Sequence, residues 1–316
     1  MIQSEVLAQV RRIHVRTNRM VTDVMSGGYT SVFRGSGIEF DEVREFTEGD
    51  DIRAVDWNVT ARIGRPHVKK YMEERELTVL FLLDLSGSTG FGTSPGQRGE
   101  PPTVRKAAAT FCACLALAAA RNNDKTGLIA FSDRIEGYVP SKKGKAHVLR
   151  IIREALALEP QGRGTDLVSA LEHAGRVQRK RAVVFVISDF LTTADIGPAL
   201  RLLARRHDVI AAQIIDKSTL DLPRAGLVHV RDLETGASRW LDSSSARVRQ
   251  AWAARAGERQ AQLAETMRRS GVDRMEIVLR GDLPAHARVD GGFVERAVGD
   301  AIVRFFRMRE LRGARR

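Results

Sequence analysis

The chain has 316 residues, of which 43% are hydrophobic, so it is long enough to bury a large core. Its formal net charge of +12 permits binding to nucleic acid or to acidic partners. Aromatic residues make up only 6% of the chain, however, and no basic stretch is interleaved with Phe or Tyr. Nucleic-acid binding is therefore an alternative that no recognition motif supports.

Cysteine usage and hydropathy bear on the compartment in which the protein works. The two cysteines, Cys112 and Cys114, lie two positions apart in a predicted helix, so they face different sides and cannot pair with each other. The lack of a disulfide framework favours a reducing compartment. The sequence begins without the apolar core of a signal peptide, and no apolar run reaches the ~18 residues that cross a bilayer. We therefore expect a cytoplasmic protein without a membrane span.

Residues 1–76 are predicted to form an N-terminal helix, at 5–19, followed by a small β-rich unit. The segment 39–58 of this unit alternates acidic residues with large apolar ones and also contains Arg44 and Trp57. Such a pattern is either a solvated acidic face or a compact structure held by arginine–carboxylate pairs, which are geometrically specific. We favour the compact structure.

From residue 77 to residue 316 the pattern alternates strands and helices, as is typical of an α/β domain. The apolar run at 77–83 predicts a strand buried on both faces. We predict a doubly wound, mostly parallel sheet of about six strands, with a hairpin inserted near 227–242 and a mobile loop at 90–102. The other strands are predicted at 125–131, 134–139 (an edge strand), 181–188, 208–215 and 274–279, and the main helices at 103–122, 146–158, 167–178, 196–206, 246–269 and 292–309.

Polar side chains follow the buried strands of this predicted sheet. Asp84, Ser86 and Ser88 come directly after the first strand, and Asp189 comes after the strand at 181–188. Thr165 lies in a glycine-bounded loop that opens a helix. Open α/β sheets bind ligands at this edge, and carboxylate and hydroxyl oxygens suit Mg²⁺ or Mn²⁺. The sequence therefore predicts a site for a hard metal ion.

This set of residues resembles the metal-ion-dependent adhesion site of the von Willebrand factor type A fold. The resemblance implies that the three hydroxyls bind Mg²⁺, with Mn²⁺ as the other candidate, and that the two carboxylates act directly or through water. Neutral hydroxyl ligands leave the ion electron-poor and one octahedral position open, which a partner's carboxylate can complete. Asp166 is an additional carboxylate, which we expect to hydrogen-bond to the metal ligands without binding the ion itself.

The preceding segment resembles the domain-of-unknown-function 58 family, in which such a segment comes before a von Willebrand A-like domain. The similarity rests on the Gly-Asp-Asp-x-Arg element at 49–53 and the Asp-Trp pair at 56–57. Thr89 is a departure, since many relatives carry Met there, but it is not one of the ligands. Family members are commonly encoded near MoxR-type AAA+ ATPases. The resemblance therefore implies an adaptor or chaperone-like role beside such an ATPase.

Other chemistries find less support in the sequence. It contains no phosphate-binding loop of an ATPase, and Ser86 does not lie in the Gly-x-Ser-x-Gly turn of a serine hydrolase. The seven histidines show no zinc-type spacing. A metal-dependent phosphoryl hydrolase stays open as an alternative, although a haloacid-dehalogenase-like enzyme would need Asp in place of Ser86. We expect a non-enzymatic, Mg²⁺-dependent interaction module whose MoxR-type ATPase partner, or the client of that ATPase, supplies the completing carboxylate.

Overall fold

The structure is a computed structural model that describes residues 39–47, 50–72, 77–90, 103–279 and 293–313. The described residues before Thr78 belong to one compact unit, and those from Thr78 onward belong to a second. The predicted helix at 5–19 lies outside the described residues, as does the predicted mobile loop after Gly90.

The smaller unit is built on two antiparallel strands. Strand β1 (Glu39–Glu45) pairs with strand β2 (His67–Met72). A 3-10 turn at Ile52–Ala54 and a short helix, α1 (Trp57–Ile63), lie between them in the chain. The predicted strands near residue 40 are thus represented by β1, and the acidic segment contributes a helix as well.

The acidic residues of this unit have defined structural roles. Asp56 begins α1 by accepting hydrogen bonds from the backbone N–H groups of Asn58 and Val59, at 3.0 and 3.3 Å. Gly64 ends the helix in the left-handed conformation, at φ +75°. The Asp-Trp element is therefore a helix start, and the side chain of Trp57 itself is 67% exposed.

Arg44 and Asp50 form the arginine–carboxylate pair expected from the sequence. Two guanidinium nitrogens of Arg44 donate to the two carboxylate oxygens of Asp50, at 2.8 and 2.6 Å. The backbone N–H of Thr47 donates to the same carboxylate at 2.9 Å. The hydrogen bonds from Arg44, and then from Thr47, hold the pKa of Asp50 well below its usual range. The prediction of a compact structure held by such pairs is confirmed at this position.

The larger unit is organised around a six-stranded sheet in the described residues. The strands are β3 (Thr78–Asp84), β4 (Lys125–Phe131), β5 (Ile135–Lys142), β6 (Val183–Ser188), β7 (Asp208–Asp216) and β10 (Asp273–Leu279). Their order in the sheet is β10-β7-β6-β3-β4-β5. Five of these strands are parallel, and only β5 runs antiparallel to its neighbour, at the edge. This confirms the predicted doubly wound, mostly parallel sheet and its edge strand.

Helices and one hairpin connect these strands. The predicted hairpin is present as β8 (Leu227–Arg231) and β9 (Ser238–Asp242), which pair antiparallel outside the main sheet. The helices are α2 (Thr103–Arg121), α3 (Lys145–Ala157), α4 (Leu167–Val177), α5 (Gly197–Ala204), α6 (Lys217–Leu220), α7 (Ala246–Ser270) and α8 (Phe293–Gly313).

Both faces of the sheet are covered, because alternate residues of the central strands point to opposite sides. Leu80 and Leu82 belong to an apolar cluster that includes residues of α4, α5 and α7. On the other face, the ring of Phe185 stacks on Phe81 with centroids 6.0 Å apart and meets the edge of Phe111, from α2, at 5.6 Å. The continuous apolar runs in the sequence are therefore explained by burial on both sides.

Helix α2 is deeply buried next to the sheet. Its residues Ala107, Phe111 and Leu115 are all inaccessible to solvent. Cys112 and Cys114 are buried free thiols, and burial raises the pKa of Cys114 to about 12, so both are inert packing residues. Among the described helices, none combines the length and the apolar character needed to cross a membrane.

We predict that Phe185→Ala lowers the free energy of unfolding of the larger unit by about 3–5 kcal/mol, because it removes a fully buried ring and leaves a cavity between sheet and α2. Chemical denaturation followed by circular dichroism measures this change. Leu202→Ala is the matched control, since Leu202 is 61% exposed on α5 and its loss should change the value by no more than about 0.5 kcal/mol. Equal effects of the two substitutions would contradict the assignment of the core.

Candidate functional site

The candidate site lies where the chain connections leave the sheet in opposite directions. Strands β3 and β6 are parallel neighbours, with Leu83 opposite Ile187, so their carboxyl ends lie side by side. From β3 the chain continues to β4 on one side of this pair, and from β6 it continues to β7 on the other side. Ligands of open α/β sheets bind at such a switch point. The residues that follow Leu83 and Ile187 are therefore the first candidates for function.

Asp84 is the last residue of β3, and its side chain is fully buried. One carboxylate oxygen, Oδ1, accepts a hydrogen bond from the backbone N–H of Ser86 at 2.8 Å. The other, Oδ2, accepts from the hydroxyl of Ser188 at 2.6 Å. The hydroxyl of Thr89 donates to the carbonyl oxygen of Ser86 at 2.7 Å and closes the turn. Asp84 is thus tied both to its own turn and to the neighbouring strand.

The two serines and the second predicted aspartate lie next to this network. The hydroxyl oxygens of Ser86 and Ser88 lie 3.1 Å apart. The carboxylate of Asp189 accepts a hydrogen bond from the backbone N–H of Leu191 at 3.0 Å. Asp84, Ser86 and Ser88 are therefore joined by hydrogen bonds, and Asp189 is linked to Asp84 through its chain neighbour Ser188.

The backbone directly after Asp189 is strained. Phe190 adopts φ +57°, in the left-handed region that bulky residues avoid, at a cost of about 1–3 kcal/mol. Its ring is buried in the core beneath the sheet edge, and its N–H donates to the Ser188 hydroxyl at 2.9 Å. These contacts fix the backbone directly after Asp189.

The glycine-bounded loop brings Thr165 to the same edge of the sheet. The backbone N–H of Gly87 donates to the carbonyl oxygen of Arg163 at 2.7 Å, which links this loop directly to the serine turn. The carboxylate of Glu136, on β5, accepts from the backbone N–H groups of Gln161 and Gly162 at 3.0 and 2.8 Å. The hydroxyl of Thr165 donates to Glu234 at 2.6 Å. Thr165 thus lies beside the other four residues but is hydrogen-bonded to a different carboxylate.

Asp166 begins a helix in this structure. Its carboxylate accepts from the backbone N–H of Ser169 at 2.9 Å, so it is the N-cap of α4. Its own N–H donates to the carbonyl oxygen of Ser132 at 2.8 Å. The observed role of Asp166 is therefore to fix the start of α4 directly after Thr165.

The electrostatics of the site are dominated by buried negative charge. Burial raises the pKa of Asp189 to about 7, and repulsion from Asp84 adds to the shift. Burial also raises the pKa of Asp84, against the hydrogen bonds from Ser188 and Ser86. Within the described ranges, neither carboxylate forms an ion pair with a basic side chain. Two buried carboxylates that repel each other are costly unless protonated or matched by a cation.

The donor set fits a small hard cation in its chemistry. In the described part of the chain, no three His, Cys, Asp or Glu side chains lie together in a group that could hold a metal ion. Hydroxyl oxygens would have to complete the coordination shell, and Ser86, Ser88 and Thr165 are the hydroxyls at this edge. Oxygen ligands of this kind suit Mg²⁺ or Mn²⁺ and disfavour zinc.

Three residues of this site were not singled out from the sequence. Ser188 and Glu136 position Asp84 and the Thr165 loop, and Glu234 contacts Thr165 across 69 positions of the chain. The sequence did contain a signal for Ser188, because it is a polar residue at the end of an apolar strand. Glu234 and Glu136 had none, since acidic residues in turns and edge strands are ordinarily solvated.

Fold and site together define a doubly wound α/β domain whose strand-end aspartates and hydroxyls converge at the switch point, as expected for a von Willebrand A-like protein. The chain belongs to the family described as "Protein of unknown function DUF58", which matches residues 42–262. This confirms the family predicted from the sequence. The chain is 30% identical over 272 residues to an uncharacterized protein of Mycobacterium tuberculosis (strain ATCC 25618 / H37Rv). The aligned residues cover 85% of this chain and 84% of the relative.

Solved structures with some similarity to this chain include the conserved hypothetical protein BatB of Bacteroides thetaiotaomicron. That comparison has 15% sequence identity and a TM-score of 0.43, and covers 72% of this chain and 98% of BatB. A von Willebrand factor type A protein of Catenulispora acidiphila gives 12% identity and a TM-score of 0.39, covering 74% of this chain and 43% of the other.

We predict a characteristic pH dependence of stability in the metal-free protein. Because the folded-state pKa of Asp189 is raised from 3.8 to about 7, its contribution to stability is fully present below pH 3.8 and is lost as the pH rises through about 7. Asp189→Asn removes this ionisation, so in chelator the variant should gain stability relative to wild type as the pH increases. Denaturation at pH values of about 5 and 8 measures the difference. An identical pH dependence of stability in the two proteins would contradict the raised pKa of Asp189.

Proposed function

We propose that this chain is a non-enzymatic protein-interaction module that binds its partner through Mg²⁺ held by Asp84, Ser86, Ser88, Thr165 and Asp189. The observation that carries the proposal is the buried pair Asp84 and Asp189, which repel each other and have no ion-pair partner among the described residues. Mn²⁺ has the same ligand preferences and is the natural substitute.

The residues of the site have separate tasks in such a module. The ion, when bound, would supply the positive charge that the two buried carboxylates lack and would attract a further carboxylate. Ser188 and the backbone of Ser86 hold the Asp84 carboxylate in one orientation. The hydroxyl of Ser88 lies 3.1 Å from that of Ser86, so the two serines present neighbouring oxygens. Because three of the proposed ligands are neutral hydroxyls, the ion would keep enough positive charge to bind an acidic group of a partner.

The partner we propose is a MoxR-type AAA+ ATPase, with the acidic group coming from that ATPase or from its client protein. Support for this partner comes from the family resemblance, in which genes of the two kinds of protein are commonly neighbours. The curated relatives are uncharacterized and add no activity. The cytoplasmic location expected from the sequence stays a prediction and is consistent with such a partner.

A metal-dependent phosphoryl hydrolase is the second candidate, because Asp84 stands at the end of a strand where such enzymes place a carboxylate. The residue two positions later is Ser86, with its hydroxyl directed to Ser88, so a second carboxylate is absent from that turn. Hydrolysis of p-nitrophenyl phosphate in the presence of Mg²⁺ distinguishes the candidates, since the interaction module should show no turnover above background. Nucleic-acid binding, suggested only by the net charge of +12, would be marked by a steep loss of affinity with salt.

We predict that Asp84→Ala lowers the affinity for Mn²⁺, used as a probe for Mg²⁺, by at least about 10–100-fold, because it removes a proposed ligand and not merely a supporting contact. Ser88→Ala is a second variant with a smaller expected loss, since it removes a half-buried hydroxyl without exposing a buried carboxylate. Isothermal titration calorimetry measures both. The same variants should lose Mg²⁺-dependent capture of a MoxR-type ATPase from the same organism in a pull-down experiment.

Asp166→Ala is the matched control for this series. It removes a carboxylate next to Thr165, but that carboxylate caps α4, so we expect a loss of about 1 kcal/mol in stability and an unchanged Mn²⁺ affinity. Equal Mn²⁺ affinity of wild type and Asp84→Ala would refute the metal site. Undiminished capture of the ATPase in chelator would refute the metal bridge while leaving a metal-independent interaction in place.

A further inference from the structure

The turn between β8 and β9 brings an unexpected carboxylate to the candidate site. Glu234 is half-buried, whereas its neighbours Leu233 and Thr235 are exposed. Its carboxylate oxygen Oε1 accepts the hydroxyl of Thr165 at 2.6 Å. One of the five proposed metal ligands is therefore already in contact with an acidic side chain of the same chain.

This turn has a defined conformation of its own. The carboxylate of Asp232 accepts from the backbone N–H groups of Glu234 and Thr235, at 2.8 and 3.0 Å. Gly236 closes the turn in the left-handed region, at φ +75°, and its N–H donates to the carbonyl oxygen of Asp232 at 2.9 Å. The backbone of Glu234 is thus held by its own hairpin, and only its side chain reaches towards Thr165.

The turn also packs directly on the serine turn of the site. A Cβ atom at Gly87 would lie 2.5 Å from the carbonyl oxygen of Leu233 and 3.1 Å from that of Arg163. Only glycine permits this approach, so Gly87 is required where the hairpin turn and the Thr165 loop both meet the residues after β3. The hairpin therefore contacts the site at two points, through the backbone of Leu233 and through the side chain of Glu234.

Glu234 adds to the negative charge already concentrated here. Its carboxylate lies against Thr165, at the sheet edge that also carries the buried carboxylates of Asp84 and Asp189. Within the described residues, Glu234 forms no ion pair with a basic side chain. The three carboxylates do not form a preformed metal-binding group in the described residues. Glu234 is nevertheless held against Thr165, a proposed ligand, so a cation bound at the site would attract its carboxylate.

We infer that Glu234 is an internal ligand of the proposed Mg²⁺, meaning a ligand from the same chain; this inference rests on the proposed function. It supplies from within the chain the carboxylate that would otherwise come from a partner, and it covers the site until the partner binds. Partner binding is then an exchange in which an external carboxylate replaces Glu234. The β8–β9 turn is the element that has to move away for this exchange.

Mn²⁺ binding to the full chain tests the inference without any assay of activity. Titration calorimetry gives the affinity, and the water-proton relaxivity of bound Mn²⁺ reports how many water molecules are on the ion. We expect Glu234→Ala to bind Mn²⁺ about 10-fold more weakly, with a higher relaxivity because a water molecule replaces the carboxylate. Glu234→Gln, which keeps the length of the side chain, should also weaken binding. Glu258→Gln, an exposed residue of α7, is the control and should match wild type.

Acetate, used as a probe for a partner's carboxylate, tests the exchange. Acetate should lower the relaxivity of Mn²⁺ bound to Glu234→Ala at concentrations that leave wild type unchanged, because only the variant has the position open. Wild-type affinity and relaxivity in Glu234→Ala would overturn the role of Glu234 while leaving the metal site intact. Failure of wild type itself to bind Mn²⁺ would overturn the proposed function and this inference with it.

Discussion

Burial of Asp84 and Asp189 at the ends of adjacent parallel strands is the constraint on which the rest of the site depends. Two carboxylates close together in a poorly solvated place repel each other, and the structure compensates with hydroxyl and backbone donors. Those donors reduce the cost but carry no positive charge. The arrangement therefore favours either a proton shared by the pair or a bound cation, and this gives the site its expected dependence on metal and on pH.

The fold creates this constraint through strand order. Because the chain leaves β3 and β6 in opposite directions, their carboxyl ends lie at a switch point of the sheet, where ligands of open α/β sheets bind. The apolar strands below are covered on both faces and fix the positions of the two aspartates, while the strained turn at Phe190 ends β6 abruptly. The sheet thus carries a site made from residues at the ends of two strands and from the loop that contains Thr165.

The hairpin formed by β8 and β9 changes how the site relates to a partner. In a site open on one side, a partner's carboxylate would meet the ion directly. Here Glu234 lies against Thr165 and the backbone of Leu233 lies against Gly87. Recognition by such a module would then depend on competition between two carboxylates, one internal and one external. This competition would set the affinity of the module and would keep the site covered when no partner is present.

The sequence by itself determined the fold class, the order of the main strands and helices, and three site residues that the structure joins by hydrogen bonds, Asp84, Ser86 and Ser88. These features are local: apolar runs define buried strands, and polar residues at their ends mark the sheet edge. Strand β4 has the predicted bounds, Lys125–Phe131. Only the tertiary structure decided the contacts made by Ser188, Glu136 and Glu234. Glu234 reaches Thr165 because a hairpin outside the sheet packs on Gly87, and no periodicity in a single sequence encodes where such a hairpin docks.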